Sequence, residues 1–236
     1  MLPVAILAGG LATRLQPVTR TIPKSMVQVA GRPFLFHQLD WLRTEGVERV
    51  VLCLGHLGEE IRAAVGDGKD FGLAVDYAFD GERLLGTGGA LRAAMPKLGE
   101  IFFVLYGDSY LQCSLSDVEK VFRASAKLAL MTVFRNEGQW DRSNILFSEG
   151  RLLRHDKRHP TSAMRHIDYG LSIVCAQVLA SYEEGRSFDL ADALSTLAER
   201  GKLAGFEVSE RFYEIGSPAG LKETEEFLYR RGRDAL

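Results

Sequence analysis

Short apolar, branched runs alternate with segments of helical period through the first half of the chain, at residues 4–8, 34–46, 49–54, 59–65, 74–79, 90–95 and 101–106. Such βαβα alternation makes the fold α/β, with a mainly parallel sheet flanked by helices on both faces. The helix after Pro33 has the clearest signature. Proline suits its first turn, Leu35, Leu39 and Leu42 share a face, and Gly46 ends it. The second half is less regular, with strand-like runs at 128–135, 145–147, 167–175 and 203–208 separated by polar, proline-containing connections. A last helix starts at Ser217-Pro218, an N-cap followed by proline at the first helical position, and turns Leu221, Phe227 and Leu228 inward. No repeat, low-complexity tract or linker interrupts the 236 residues, so a single domain over 1–236 is expected.

Composition narrows the function. With 29 basic and 31 acidic residues and a formal net charge of -2, the chain lacks the basic surplus of a nucleic-acid binder. Any phosphate binding must be local. Cys53, Cys113 and Cys175 are odd in number, widely spaced and set in apolar runs, which suits buried thiols in a reducing compartment. The N-terminus lacks a basic leader, and no stretch reaches the roughly 18 apolar residues of a membrane span. The expected location is cytoplasmic, with no membrane partner; whether copies associate as a homo-oligomer is left open.

The first strand runs directly into Ala8, Gly9, Gly10, Leu11, Ala12, Thr13, Arg14 and Leu15, with Pro17, Pro23 and Lys24 following. Glycines there let backbone N–H groups approach a phosphate, and Arg14 and Lys24 supply charge for a polyanion. Alone, Gly-Gly is equally a tight turn after a buried strand. The spacing matches neither a dinucleotide fingerprint nor a Walker A loop. A second cluster, Leu85, Gly86, Thr87, Gly88, Gly89 and Ala90, reads either as a helix start or as backbone pressed against a flat ring or ribose.

The strand at 101–106 ends at Gly107, Asp108 and Ser109. Ligands of open α/β sheets collect at the carboxyl ends of strands, where a carboxylate can hold a hard cation that bridges phosphates. A turn aspartate is the plain alternative. Residues 212–218 repeat the arrangement with Glu214, Gly216 and a helix start, so Asp108 and Glu214 could share a magnesium ion. Between them lies His155, Asp156, Lys157, Arg158, His159 and Pro160, by itself a solvated charge run, and then Asp168, Tyr169 and Gly170.

Taken in order, these segments resemble the sugar-1-phosphate nucleotidyltransferase family over nearly the whole chain, residues 4–228. GGLATRL with Pro23-Lys24 resembles the family's GGxGTRL loop and following Pro-Lys, LGTGGA stands unaltered at 85–90, and Gly107-Asp108 closes a strand. Asp156-Lys157 stands for a Glu-Lys pair, Asp168-Tyr169-Gly170 for an Asn-Ala-Gly-like element, and Glu214-Ile215-Gly216 for Asp-Ile-Gly.

The resemblance implies a Rossmann-like fold that transfers a nucleotidyl group from a nucleoside triphosphate to a sugar 1-phosphate and releases pyrophosphate. It implies nucleotide contacts at Leu7, Ala8, Gly9, Gly10, Leu11, Ala12, Thr13, Gly86 and Thr87, and sugar-phosphate contacts at Gly107, Lys157, Tyr169 and Gly170. Arg14 would hold the leaving pyrophosphate, Lys24 the α-phosphate, Lys157 the incoming phosphate, and Asp108 with Glu214 the Mg2+ ion. Such a transfer needs alignment and charge neutralisation, not a protein nucleophile. The length resembles the short branch without a C-terminal β-helix domain, which includes heptose and mannose 1-phosphate guanylyltransferases.

The departures are Ala12 for a third glycine, Glu214 for aspartate, and Asp156 for glutamate; none removes a charge from the implied site. GTP is the expected triphosphate, with Asp80 or Glu82 accepting hydrogen bonds from guanine; UTP, dTTP, CTP and ATP are the alternatives. Two other readings compete. A glycosyltransferase of related fold would want an Asp-x-Asp pair, whereas residues 107–110 hold one aspartate. A silent nucleotide-sugar sensor need not keep Arg14, Lys24, Asp108 and Lys157 together.

Overall fold

Side-chain alternation along the central strands divides the apolar residues between two cores, and the helices follow that division. The structure is a computed structural model that describes residues 1–10 and 21–234. The chain runs through β1 (Val4–Leu7), β2 (Gln28–Val29), β3 (Arg32–Pro33), α1 (Phe34–Thr44), β4 (Arg49–Leu54), α2 (Gly58–Val65) and β5 (Ala74–Phe79). It continues through α3 (Gly86–Leu98), β6 (Ile101–Tyr106), β7 (Ser109–Tyr110), α4 (Leu115–Ser125), β8 (Ala129–Arg135), β9 (Ile145–Ser148) and β10 (Arg151–His155). Then come β11 (His166–Cys175), α5 (Ala176–Ala180), α6 (Leu190–Glu199), β12 (Leu203–Val208), β13 (Tyr213–Glu214) and α7 (Pro218–Asp234).

On β1, Val4 and Ile6 face one core with Phe34, Leu35 and Leu39 of α1, Ile61 of α2, Val118 of α4 and Leu228 of α7. Ala5 faces the other, with Leu91 and Ala94 of α3, Val178 of α5 and Leu194 and Leu197 of α6. Each fully buried side chain of this size contributes on the order of 1.5–3 kcal/mol, so both helical layers are held mainly by apolar contact.

β5, β4, β1 and β6 pair in parallel in that order, as the alternating pattern requires. The second half extends the same nine-stranded sheet in mixed sense. β11 runs antiparallel to β6 and β8, β12 pairs parallel with β8, and the β9–β10 hairpin joins at the end of β11.

The chain holds more regular structure than its sequence suggests. The expected helix at 90–95 extends over Gly86–Leu98, because the glycine cluster is itself the first turn. α4 buries only Leu115, Val118 and Phe122 behind a Ser114 cap, and β10 alternates weakly because it lies at the sheet edge. Their patterns are therefore thin. α7 begins at Pro218, with the Ser217 hydroxyl accepting the Gly220 N–H at 3.0 Å, as the cap signature requires.

β11 carries a register shift against β8 between Asp168 and Ser172, and Gly170 within it has φ +105. Such bulges re-aim side chains toward sites. Within the shift, the buried Thr132 hydroxyl donates to the Leu171 carbonyl at 2.7 Å. Thr132→Val keeps the shape and removes that donor, leaving a buried acceptor unmet. We expect a loss of about 1–3 kcal/mol in denaturant unfolding; an unchanged midpoint would mean that the bulge is satisfied some other way.

Candidate active site

The order of the sheet fixes where a ligand can sit. From β1 the chain steps to β4 and β5 on one side and returns to β6 on the other. A crevice therefore opens beyond the carboxyl ends of β1 and β6, the usual binding position in such sheets. Glycines bring these ends unusually close. A Cβ on Gly9 would lie 2.8 Å from the Gly55 nitrogen, one on Gly55 would lie 2.7 Å from the Gly9 oxygen, and one on Gly107 would lie 2.7 Å from the Leu7 oxygen. Above them is a cleft of about 370 Å³ lined by Leu7, Ala8, Gly9, Gly10, Lys24, Asp80, Gly86, Thr87, Gly107, Asp108 and Gly216, among others. Cys53 is on its floor, with burial pushing its thiol up to about 12, so it presents a neutral wall.

Lys24 and Asp108, distant in sequence, meet here. The Lys24 ammonium donates to Asp108 Oδ2 at 2.6 Å, with the two side chains 17% and 34% exposed. Lys24 occupies a short 3-10 turn directly after Pro23. Asp108 sits in the turn between β6 and β7, braced from α1: the buried Gln38 amide donates to the carbonyls of Tyr106 at 3.0 Å and Ser109 at 2.8 Å. Gln38 had no sequence signature, since a lone glutamine on a helix is ordinarily surface.

Glu214 arrives beside this turn because β13 pairs with β7, setting Glu214 opposite Ser109. Its two oxygens are nevertheless engaged, one by the Gly216 N–H and the other by the Ser217 hydroxyl at 2.7 Å. Nearby, the Arg211 guanidinium lies between the Trp140 ring at 3.8 Å and the Tyr213 ring at 4.4 Å, and pairs with Glu223 at 2.6 Å. These contacts pin β13. Among the described residues, no group of three His, Cys, Asp or Glu side chains converges as a self-sufficient metal site. Magnesium commonly takes one or two carboxylates and completes its shell with phosphates and water. Asp108 fits that donor set, and each Glu214 oxygen, accepting one hydrogen bond, keeps a second lone pair for a cation.

Three aspartates, Asp108, Asp168 and Asp189, gather around Tyr106. Burial first, then the charges of Asp168, Asp189 and Asp108, push the Tyr106 hydroxyl far above its ordinary range. Asp168 accepts the Gly170 N–H at 2.9 Å, and burial pushes its carboxyl up against the opposing pull of that bond, of Lys157 and of Tyr106. Lys157 is exposed, with its ammonium near enough to Asp168 and Asp189 to favour their ionised forms. Gly170 approaches Ser109, whose hydroxyl would lie 3.3 Å from a Cβ there. Tyr169 turns inward instead. It is buried between Phe134 and Phe212, and its hydroxyl accepts the Gln112 N–H at 3.0 Å, so only its backbone faces the Gly170 side.

In the lining of the cleft, Asp80 Oδ2 accepts the Leu85 N–H at 3.1 Å, and burial raises its carboxyl above the ordinary value. Glu82 is exposed. Leu11, Ala12, Thr13 and Arg14 lie outside the described residues. Tyr106, Phe188 and Asp189 were not singled out from sequence, although Asp189 before Leu190, Leu194 and Leu197 is a recognisable helix cap.

His155, next to Lys157, is 3% exposed, and its Nδ1 meets the Ser195 hydroxyl at 3.1 Å. Burial, with Lys157 adding to it, pulls its pKa from 6.5 to about 4. The folded state therefore resists a proton that the unfolded chain accepts. Stability should be full above pH 6.5 and fall as pH drops toward about 4, with half-buried His37 adding to the same slope. Unfolding free energies measured across that window should show a shallower slope for His155→Gln; an unaltered slope would assign the acid sensitivity elsewhere.

The family pattern described as nucleotidyl transferase matches residues 4–141. A glucose-1-phosphate thymidylyltransferase of Streptomyces antibioticus is 35% identical over 162 residues, 66% of this chain; the chain spans 45% of that relative's length. HddC of Yersinia pseudotuberculosis, in a structure complexed with GMP-PN, superposes with a TM-score of 0.78 at 25% identity, over 97% of this chain and 100% of that one. A Bacillus anthracis structure assigned as a glucose-1-phosphate thymidylyltransferase gives 0.86 at 17% identity over 97% and 96%, which speaks to the fold. The pattern covers more than half of the chain, including β1, Lys24, Asp80 and Asp108 at the switch-point cleft, and the chain belongs to the nucleotidyl transferase family.

Proposed function

We propose that the chain transfers a nucleotidyl group from a nucleoside triphosphate to a sugar 1-phosphate, with GTP as the donor and a heptose- or mannose-type acceptor. The observation that carries this reading is the Lys24–Asp108 pair at the switch-point cleft. A cation and a carboxylate held 2.6 Å apart can be separated by a phosphate and its counter-ion with both charges still answered.

In this reading the triphosphate lies along Ala8, Gly9 and Gly10, with Lys24 on the α-phosphate. Arg14 holds the leaving pyrophosphate. The oxygen of the sugar phosphate attacks the α-phosphorus, forming one P–O bond as the bond to the β-phosphate breaks and pyrophosphate leaves with the electron pair. Lys157, over Asp168 and Asp189, orients the incoming phosphate. Asp108 would hold Mg2+, which supplies charge neutralisation on the phosphates. Glu214, set beside the Asp108 turn by the β13–β7 pairing, would be the second carboxylate on the ion. The chain works in this reading as one nucleotidyltransferase unit, and its free cysteines suit a reducing cytoplasm.

Guanine is favoured because Asp80 lines the cleft with Oδ1 unengaged by Leu85, and a carboxylate answers the adjacent N–H donors of guanine while repelling the carbonyl of uracil or thymine. HddC's complex with GMP-PN supports the same base. The Streptomyces thymidylyltransferase supports dTTP as the second reading. Pyrophosphate release should be measured for GTP, UTP, CTP, ATP and dTTP against mannose, heptose, glucose and N-acetylated sugar 1-phosphates. Release with GTP that needs both substrates is expected. Preference for another base would sink the guanine assignment alone, and sugar transfer from a nucleotide sugar to an acceptor would sink the reaction.

Asp108→Asn should lower kcat by about a hundredfold or more, since the amide keeps the shape but discards the charge facing Lys24 and the metal. The thermal midpoint should change little, because Asp108 is one-third exposed. Full activity with ordinary magnesium dependence would place the metal elsewhere.

A further inference from the structure

The Leu85–Ala90 motif is turned mainly toward protein. A Cβ on Gly88 would overlap the Phe188 ring, one on Gly86 would lie 2.7 Å from the Phe188 oxygen, and one on Gly89 would lie 2.6 Å from the Arg186 oxygen. The Phe188 ring also stacks on Tyr182, with centroids 4.0 Å apart and planes within 5°. Backbone bonds then cross the contact in both directions: Phe188 N–H to the Leu85 carbonyl at 3.1 Å, and Gly88 N–H to the Phe188 carbonyl at 3.0 Å.

The starts of α3 and α6 thus cap one another. The Thr87 hydroxyl, in the first turn of α3, donates to Asp189 Oδ1 at 2.7 Å and accepts the Leu190 N–H at 2.8 Å; Asp189 itself accepts the Ala191 N–H at 3.0 Å. Orphan N–H groups at each helix start are satisfied by the other segment. Asp189 is thereby held beside Lys157 and Asp168, while Gly86 and Thr87 line the nucleotide cleft.

We infer that Phe188 is a positioning residue: seated in the socket left by Gly88, it builds the acceptor-side wall at Asp189 onto the nucleotide-side loop. Its effect reaches the sugar phosphate through Asp189 and Lys157, not by contact. The kinetic part of this inference rests on the proposed reaction; the docking itself does not.

The test compares Phe188→Ala, Phe188→Leu, Gly88→Ala and the double variant Gly88→Ala/Phe188→Ala in the full chain. Phe188→Ala should raise KM for the sugar 1-phosphate and lower kcat on the order of tenfold, as misplacement near the chemistry does, while KM for GTP changes far less. Phe188→Leu should recover most of the loss. Gly88→Ala forces the ring out and should be impaired alone, whereas in the double variant the small side chains exchange places and part of the loss returns, a non-additive pair. Equal rises in both KM values, or strictly additive losses, would overturn the inference. Amide hydrogen exchange on the same proteins reads docking without activity: faster exchange confined to 85–88 and 183–191 in Phe188→Ala is expected. Unchanged exchange there would overturn the docking role. A wild-type chain that releases no pyrophosphate from any substrate pair would refute the proposed reaction and leave the docking to be decided by exchange.

Discussion

The close approach of the ends of β1, β4 and β6 is the constraint from which the site follows. Gly9, Gly55 and Gly107 leave too little room for a side chain between neighbouring backbones, so the three strand ends converge instead of splaying. Hydrogen bonds tie them further, Ala8 N–H to the Cys53 carbonyl at 2.9 Å and Gly107 N–H to the Leu7 carbonyl at 3.0 Å. The crevice above is shallow at its floor and presents backbone directly to a ligand, which is what binding a polyphosphate through N–H groups demands.

Charge enters that crevice from elements that share no local sequence. Lys24 is delivered by the turn after Pro23 and Asp108 by the turn after β6. Gln38 locks the second of these turns from a third element, buried in the core behind it. A site built so is stiff where the charges must be aligned. In the second half, the bulge in β11 does comparable work by setting Asp168 and Gly170 against Ser109 and Tyr106.

Electrostatics divides the cleft into two regimes. Lys24 and Asp108 neutralise one another over the glycine floor, whereas Asp168 and Asp189 crowd Tyr106 with Lys157 opposing them. Burial pushes the Asp168 carboxyl upward, against the pull of Lys157, and the neighbouring His155 downward.

The periodicity of the first half determined the parallel nucleus, because strands buried on both faces and one-sided helices leave unmistakable patterns. The glycine and Gly-Asp elements marked the cleft for a related reason: tight backbone approaches tolerate few residue types. Local caps likewise wrote the start of α7 into Ser217-Pro218. Tertiary structure alone decided the rest. Pairing of Lys24 with Asp108 depends on strand order, and the inward turn of Tyr169 depends on which side of the bulge the core lies. Engagement of Glu214 by Gly216 and Ser217 is decided by the geometry of a turn. The role of Gly88 as a socket is invisible until Phe188, one hundred residues later by number, is brought against it. Periodicity and turn chemistry act over a few residues and can be read from them; a contact between distant residues exists only once the sheet has closed the distance.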